Sequence, residues 1–259
     1  MYTGLYTAVA GSITQEKRLD VLTNNLANAT TIGFKAEKSH FHGTFVQTVV
    51  GKVQVSERTP PVVTAIDPLK NRHIPYHPQI TTYTDFSQGD IRETGNPLDI
   101  ALEGSGFFVV EGANEETFYT RQGTFAINSE GLLVTQNGLL VQGESGPIKV
   151  QGSQVRIDKT GGVSIEGTVV DRLKLVDFSQ PYPLAKMGDA LFHTVGPDPQ
   201  TEEPSNLAVH QGAVELSNSS LIQLLGKVIQ TSRAYEAYQR MIRTFDDTAE
   251  RAVNDIART

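Results

Sequence analysis

The sequence predicts an α+β protein, with long N- and C-terminal helices forming a coiled coil and an all-β domain inserted between them. Three observations lead there. Residues 221–256 carry a heptad seam, residues 3–28 carry a weaker apolar stripe, and the stretch between them consists of short alternating runs separated by turn residues. Charge divides the 259-residue chain at the same places. Residues 1–42 hold four Lys+Arg and three Asp+Glu, residues 212–259 hold six and six, and residues 43–211 hold twelve and twenty, so the negative balance behind the net charge of −7 sits wholly in the middle. The division expected is an N-terminal helix and turn over 1–42, an extended proline-rich connector over 43–79, an all-β domain over 80–211 and a C-terminal coiled-coil helix over 212–259.

At the start, Leu5, Val9, Ile13, Leu19, Leu22 and Leu26 fall roughly on one face of a helix, with Glu16 interrupting the stripe. The β-branched run Thr30-Thr31-Ile32 followed by Gly33 stops that helix, and Asn28 to Phe34 reads as a turn in which Gly33 takes a positive φ. Pro60, Pro61, Pro68, Pro75 and Pro78 then forbid a regular helix and a central strand. Strands are expected near Asp99–Leu102, Gly106–Val110, Phe118–Arg121, Leu132–Thr135, Leu139–Val141, Val155–Ile157, Val163–Ile165 and Leu173–Phe178. Glu130-Gly131, Asn137-Gly138 and Gly161-Gly162 supply hairpin turns. Residues 196–206 read as a polar loop.

The C-terminal segment carries the clearest pattern. Alternating steps of three and four from Leu221 land on Leu224, Val228, Thr231, Tyr235, Tyr238, Ile242, Phe245, Ala249, Ala252 and Ile256. Ser220 with Gln223 fits a capping box at its start. A helix over 220–256 would run about 55 Å, longer than the roughly 47 Å breadth of a globule of this chain length. Such a seam needs partner helices, from the other terminus or from other subunits.

Composition excludes several functions. The net negative charge argues against nucleic-acid binding, and the absence of cysteine removes disulfides, thiolate metal sites and a Cys nucleophile. No run approaches the roughly 20 apolar residues of a membrane span. Glu16, Lys17, Arg18 and Asp20 break any secretory h-region, so export is expected to use a route without a cleavable signal. Gly104-Ser105-Gly106 and Gly143-Glu144-Ser145-Gly146 lack the spacing of a nucleophile elbow, and no phosphate-cradling loop is present. His40 with His42, and His73 with His77 near Asp67 and Asp85, lack the second half of a metal site. The carboxylates Asp246, Asp247, Asp198, Glu202 and Glu203 read as solvated charge. Asn28-Ala29-Thr30 and Asn218-Ser219-Ser220 match a glycosylation acceptor but lie at helix boundaries, where they read as caps. The expectation is a non-enzymatic assembly protein without cofactor or metal.

Four stretches carry a family resemblance. Leu22-Thr-Asn24-Asn25-Leu-Ala-Asn28-Ala-Thr-Thr-Ile-Gly33-Phe34-Lys35 resembles the N-terminal signature of bacterial flagellar axial proteins of the rod and hook class. Asn96–Val110 with Tyr119–Phe125 is similar to the start of that family's β domain, and Val214–Leu221 with Gln230-Thr-Ser-Arg233-Ala234-Tyr235-Glu236 is similar to its C-terminal signature. The four occur in family order. The resemblance implies a subunit of the flagellar basal-body rod, whose terminal helices form the inner wall of a hollow helical tube while the β domain faces outward. It implies partners among copies of the chain, other rod proteins, the flagellar type III export apparatus and ring proteins, with a periplasmic location. The length and connector suit the rod subunits better than the longer hook protein, and the cap Glu215-Leu216-Ser217-Asn218-Ser219 suits the proximal rod type before the distal type. The assembly seam is then Leu5, Val9, Leu19, Leu22, Leu26, Leu221, Leu224, Val228, Tyr235, Tyr238, Ile242, Phe245 and Ile256. The reading from a different class is an all-β adhesin or binding domain trimerised by its C-terminal coiled coil. A metal-dependent hydrolase using the histidines is a third.

Overall fold

The computed structural model describes residues 2–44, 77–112, 115–152, 154–196, 200–204 and 206–256. The chain divides into two compact units. One comprises Met1–Thr23, Glu37–Tyr83 and Leu225–Thr259, and the other Asn24–Ala36 and Thr84–Leu224.

Helix α1 spans Tyr2–Ala27 and α2 spans Leu221–Ile256. Strands β1 (Glu37–Thr44) and β2 (His77–Thr84) pair with each other. The remaining strands follow in chain order: β3 (Ile91–Glu93), β4 (Ile100–Glu103), β5 (Phe107–Glu111), β6 (Thr117–Thr120), β7 (Phe125–Ile127), β8 (Leu133–Thr135) and β9 (Leu140–Val141). Then come β10 (Val155–Ile157), β11 (Gly162–Ile165), β12 (Thr168–Arg172), β13 (Leu175–Phe178), β14 (Leu184–Gly188) and β15 (Leu191–Thr194). The last are β16 (Thr201–Glu202), β17 (Ala208–Gln211) and β18 (Ala213–Glu215). The protein is therefore α+β, with a helix at each end and a mostly β middle. Most of the proline connector, residues 45–76, lies outside the described residues.

In the first unit the helices meet through small residues of α1. A Cβ added at Gly4 would stand 2.8 Å from Cζ of Phe245, and one added at Gly11 would stand 2.5 Å from Cε1 of Tyr238. Both contacts are seven residues apart on their helix and run in opposite order, so α1 and α2 lie antiparallel there. The seam of α2 follows the three-four spacing. Leu224 and Thr231 are buried, and Val228, Tyr235, Tyr238, Ile242, Phe245 and Ala252 are half-buried while most intervening positions are exposed. Leu221, at 47% exposure, and Ala249 depart from it. On α1, Leu22 is buried and Leu5, Leu19 and Leu26 are half-buried, but Val9 and Ile13 are exposed. The cause is the strip Gly4, Ala8 and Gly11, which admits the rings of α2 and turns the larger aliphatics at 9 and 13 to the other side of the helix.

In the second unit β5 is central. It pairs with β6, β9 and β13, so it lies within a nine-stranded sheet whose main path runs β14-β15-β6-β5-β9-β8-β7. Its residues alternate between two cores, as a strand covered on both faces must. Phe108 and Val110 join Ile100, Leu102, Phe125, Leu133, Val141, Ile148 and Val163. Phe107 and Val109 join Tyr119, Val176, Phe178 and Phe192. A separate sheet β10-β11-β12 packs its buried residues into the first core, and β17 pairs with β4 and β18 with β3. The expected strands are all present, but β3, β7, β12, β14, β15, β17 and β18 add to them, as do β1 and β2. A two-residue strand, β16, pairs with β13 inside the segment expected to be loop.

Candidate functional site

The turn after α1, the strand end after β6 and the segment after β18 converge on a buried cluster of charge. The turn closes by backbone hydrogen bonds, Asn28 N–H to Asn24 O at 3.2 Å and Thr31 N–H to Asn28 O at 3.1 Å. Asn28 Nδ2 donates to the Asn24 carbonyl at 3.0 Å. Gly33 has φ of 70° and its N–H donates to the Glu215 carbonyl at 2.8 Å. A Cβ at Gly33 would stand 2.4 Å from the Gln122 backbone nitrogen, so the position requires glycine for conformation and for space. Phe34 is buried with the Lys186 ammonium 4.3 Å from its ring centre.

Lys35, delivered by that turn, is 1% exposed. Its Nζ donates to Glu215 Oε1 at 2.6 Å and to the Ser87 carbonyl at 2.8 Å. Glu215, also 1% exposed, accepts Arg121 Nη1 on Oε2 at 3.2 Å and the Gly89 N–H on Oε1 at 2.9 Å. Arg121 further donates to the carbonyls of Leu102 and Gly104 and lies 5.3 Å from the centre of the Phe107 ring. Two cations thus share one carboxylate, and carbonyl oxygens take up further donors. Burial pushes the Lys35 ammonium below its ordinary value and the Arg121 guanidinium below its own, each opposed by the Glu215 charge. Asn218 completes the junction. Its Oδ1 accepts the Ala36 N–H at 2.8 Å and its Nδ2 donates to the carbonyls of Asp85 and Ser87. The expectation that Asn218 is a helix cap is corrected: its side chain is spent on joining segments 36 and 85–87. This arrangement has no nucleophile poised against a base; it fixes where the chain leaves α1 and where it approaches α2.

The predicted seam and motif residues fall into two groups. Gly33 and Lys35 are brought to Glu215 in the second unit, Asn24 and Asn28 bond to each other at the start of the same turn, and Phe34 and Asn25 are buried there. Arg233, Ala234, Tyr235 and Glu236 lie on α2, where Arg233 and Glu236 are exposed and Glu236 pairs with Arg240 at 3.9 Å. The side chain of Ile256 lies outside the described residues, as do those of His42 and His77 and all of His73, Asp67 and Asp198. Among the described residues no group of three or more His, Asp or Glu is placed to hold a metal ion, and no helix is long and apolar enough to cross a membrane.

Three family models match the chain in order. The model described as flagella basal body rod protein covers residues 5–35, the flagellar hook protein FlgE/F/G D1 domain covers 101–165, and the flagellar basal body rod FlgEFG protein C-terminal covers 210–255. The sequence is 34% identical to the flagellar basal-body rod protein FlgF of Caulobacter vibrioides over 96% of this chain and 95% of that one. It is 30% identical to the flagellar basal-body rod protein FlgG of Buchnera aphidicola over 97% and 98%, and 28% identical to that of Bacillus subtilis over 98% and 99%.

Proposed function

The chain belongs to the flagellar basal-body rod protein family and is a structural subunit of that kind, and from that premise we propose how it builds the rod. Its terminal helices pair as an antiparallel coiled coil that lines a hollow tube, and its β domain faces outward. One heterologous contact repeated without closure yields an open helical tube. Such a tube transmits torque through interlocked packing and leaves a channel for exported subunits. The reading calls for no cofactor and no enzymatic step.

The observation that carries this reading is the meeting of Gly4 with Phe245 and of Gly11 with Tyr238, which occupies one side of α1 and leaves Tyr6, Val9 and Ile13 on the other side exposed. Exposed apolar side chains on the far side of a paired helix suit burial against neighbouring subunits. Those neighbours are copies of this chain and other rod proteins, with ring proteins outside them. Delivery is through the flagellar type III export apparatus to the periplasm. Among rod types the FlgF-type proximal subunit is favoured, because the FlgF relative is the more similar of the relatives compared and the cap ends in Ser219. The FlgG-type distal rod subunit is next.

The test is Tyr235→Asp, which puts a charge into the half-buried seam. Loss of motility and absence of the variant from purified basal bodies are expected, with the β domain still folded by circular dichroism. Normal swimming by that variant would sink the seam.

A further inference from the structure

The two helices hold three glycines, Gly4 and Gly11 on α1 and Gly226 on α2. Rings of α2 fill the first two, Phe245 on Gly4 and Tyr238 on Gly11. Gly226 differs, because a Cβ there would meet no packed group within 4 Å among the described residues. A glycine inside a helix weakens it relative to any residue but proline, and among the described residues no group uses the space that Gly226 leaves. Around it stand Ile222, Leu225 and Ile229, all exposed, Ile222 at 82%. With 100° per residue, the four centre about 160° around α2 from the buried Leu224 and Thr231. Residues i, i+3, i+4 and i+7 of a helix form the hole that takes one knob from a facing helix, and 222, 225, 226 and 229 stand in that relation. Helix α2 thus presents an empty hole with a glycine floor and three aliphatic walls. Helix α1 presents an unseated ring: Tyr6 is 69% exposed, on the side opposite Gly4, Ala8 and Gly11.

We propose that Tyr6 of one copy seats in the hole of Ile222, Leu225, Gly226 and Ile229 on a second copy. The inference rests on the rod reading and names where the exposed side of α1 goes. A ring on a glycine is already how the helices of this chain pack, at Gly4 and at Gly11, and a second copy offers the one helix glycine left open. Within one copy the pair cannot meet. The contacts of Gly4 with Phe245 and of Gly11 with Tyr238 set Tyr6 level with Arg243, roughly 17 residues or about 26 Å along α2 from Gly226. Seating Tyr6 against an antiparallel α2 therefore shifts the second copy along the helix axis by that distance. Val9, one turn on, then falls beside Leu221 and Ile222. That accounts for Leu221, which is exposed although it opens the three-four spacing. Knob and hole lie on different helices, so each copy gives its Tyr6 to one neighbour and receives that of another. This is one heterologous contact, and an axial shift at every step keeps its repetition from closing into a ring.

The test uses the full-length chain in a flagellated host whose own copy has been deleted. Gly226→Leu should lower the amount recovered in purified basal bodies about tenfold or more, because the hole is filled. The monomer should meanwhile keep or gain helicity by circular dichroism, since a helix-weakening glycine is gone. A purely structural role for Gly226 predicts instead that helicity and recovery fall together. Tyr6→Ala should also lower recovery about tenfold or more, and Tyr6→Phe should leave it within about twofold. Gly226→Leu with Tyr6→Ala should return recovery to within about threefold of the unsubstituted chain, since the leucine takes the space the ring vacates. Undiminished recovery of Gly226→Leu, or a double variant no better than Gly226→Leu alone, would overturn the contact. Photoreactive p-benzoylphenylalanine in place of Tyr6 supplies an independent reading. Illuminated basal bodies should yield adducts between two copies of the chain, mapped by mass spectrometry to residues 222–229. Adducts confined to another rod protein would overturn the second copy as occupant. If the unsubstituted chain itself is missing from basal bodies, it is the rod reading that fails.

Discussion

Replacing Glu215 by Gln tests whether the buried charge cluster holds the second unit together. The carboxylate accepts Lys35 Nζ, Arg121 Nη1 and the Gly89 N–H at 2.6, 3.2 and 2.9 Å. Gln keeps one carbonyl acceptor and turns an NH2 group toward one of the two cations. Lys35 and Arg121, at 1% and 4% exposure, then lie buried without a counter-charge. Removing one member of a buried pair costs about 3–5 kcal/mol, a large share of the 5–15 kcal/mol typical of a folded domain. The assay is urea unfolding of the full-length chain followed by far-UV circular dichroism. A companion variant, Lys35→Met with Arg121→Met and Glu215→Leu, separates charge from shape, because a shape-matched apolar cluster should lose far less than the single change. A loss below about 1 kcal/mol for Glu215→Gln would mean that water reaches the cluster, and the argument from desolvation would be wrong.

Two further outcomes follow from local geometry. Gly33→Ala should destabilise the second unit by more than about 1 kcal/mol, since it combines a positive φ with a backbone clash; an unchanged unfolding midpoint would contradict the observed turn. Asp158 closes the β10–β11 hairpin by accepting the Thr160 and Gly162 N–H groups and the Thr160 hydroxyl, which hold its carboxyl below the ordinary value near 3.8. A depressed carboxyl contributes stability above its unfolded value and loses it as pH falls through the folded one. The advantage of the wild type over Asp158→Asn should therefore be present at neutral pH and shrink below about pH 4, and a difference that stays constant with pH would refute this account.

Periodicity made the ends and the central strands legible, because burial on one side imposes a repeat on the sequence. The three-four spacing from Leu224 to Phe245 marks the buried and half-buried side of α2, and the run Phe107–Val110 marks a strand covered on both faces. On α1 the same rule misled. Reading a stripe from large aliphatics picked Val9 and Ile13, whereas the packed strip is Gly4, Ala8 and Gly11, which hydrophobicity does not mark. The hairpin β14–β15 was missed for a related reason. Its turn places Asp189 and Ala190 at φ of 50° and 56°, where turn rules look for Asn or Gly.

The charge cluster was illegible for a different reason. Glu215 stands between Val214 and Leu216, a pattern that reads as a half-exposed strand with its acid in water. Instead all of β18 is buried, because β18 pairs with β3 and Glu215 points at Lys35 and Arg121, which lie 180 and 94 residues away in sequence. No local window holds both a buried charge and the groups that compensate it. The available signal is indirect: Lys35, Arg121 and Glu215 each lie inside one of the stretches that carry the family resemblance, flanked by apolar or turn residues. A charge in such a setting must be solvated or paired. Since a lone buried charge would cost far more than these short strands could recover, three such charges in three separate motifs imply that the motifs meet.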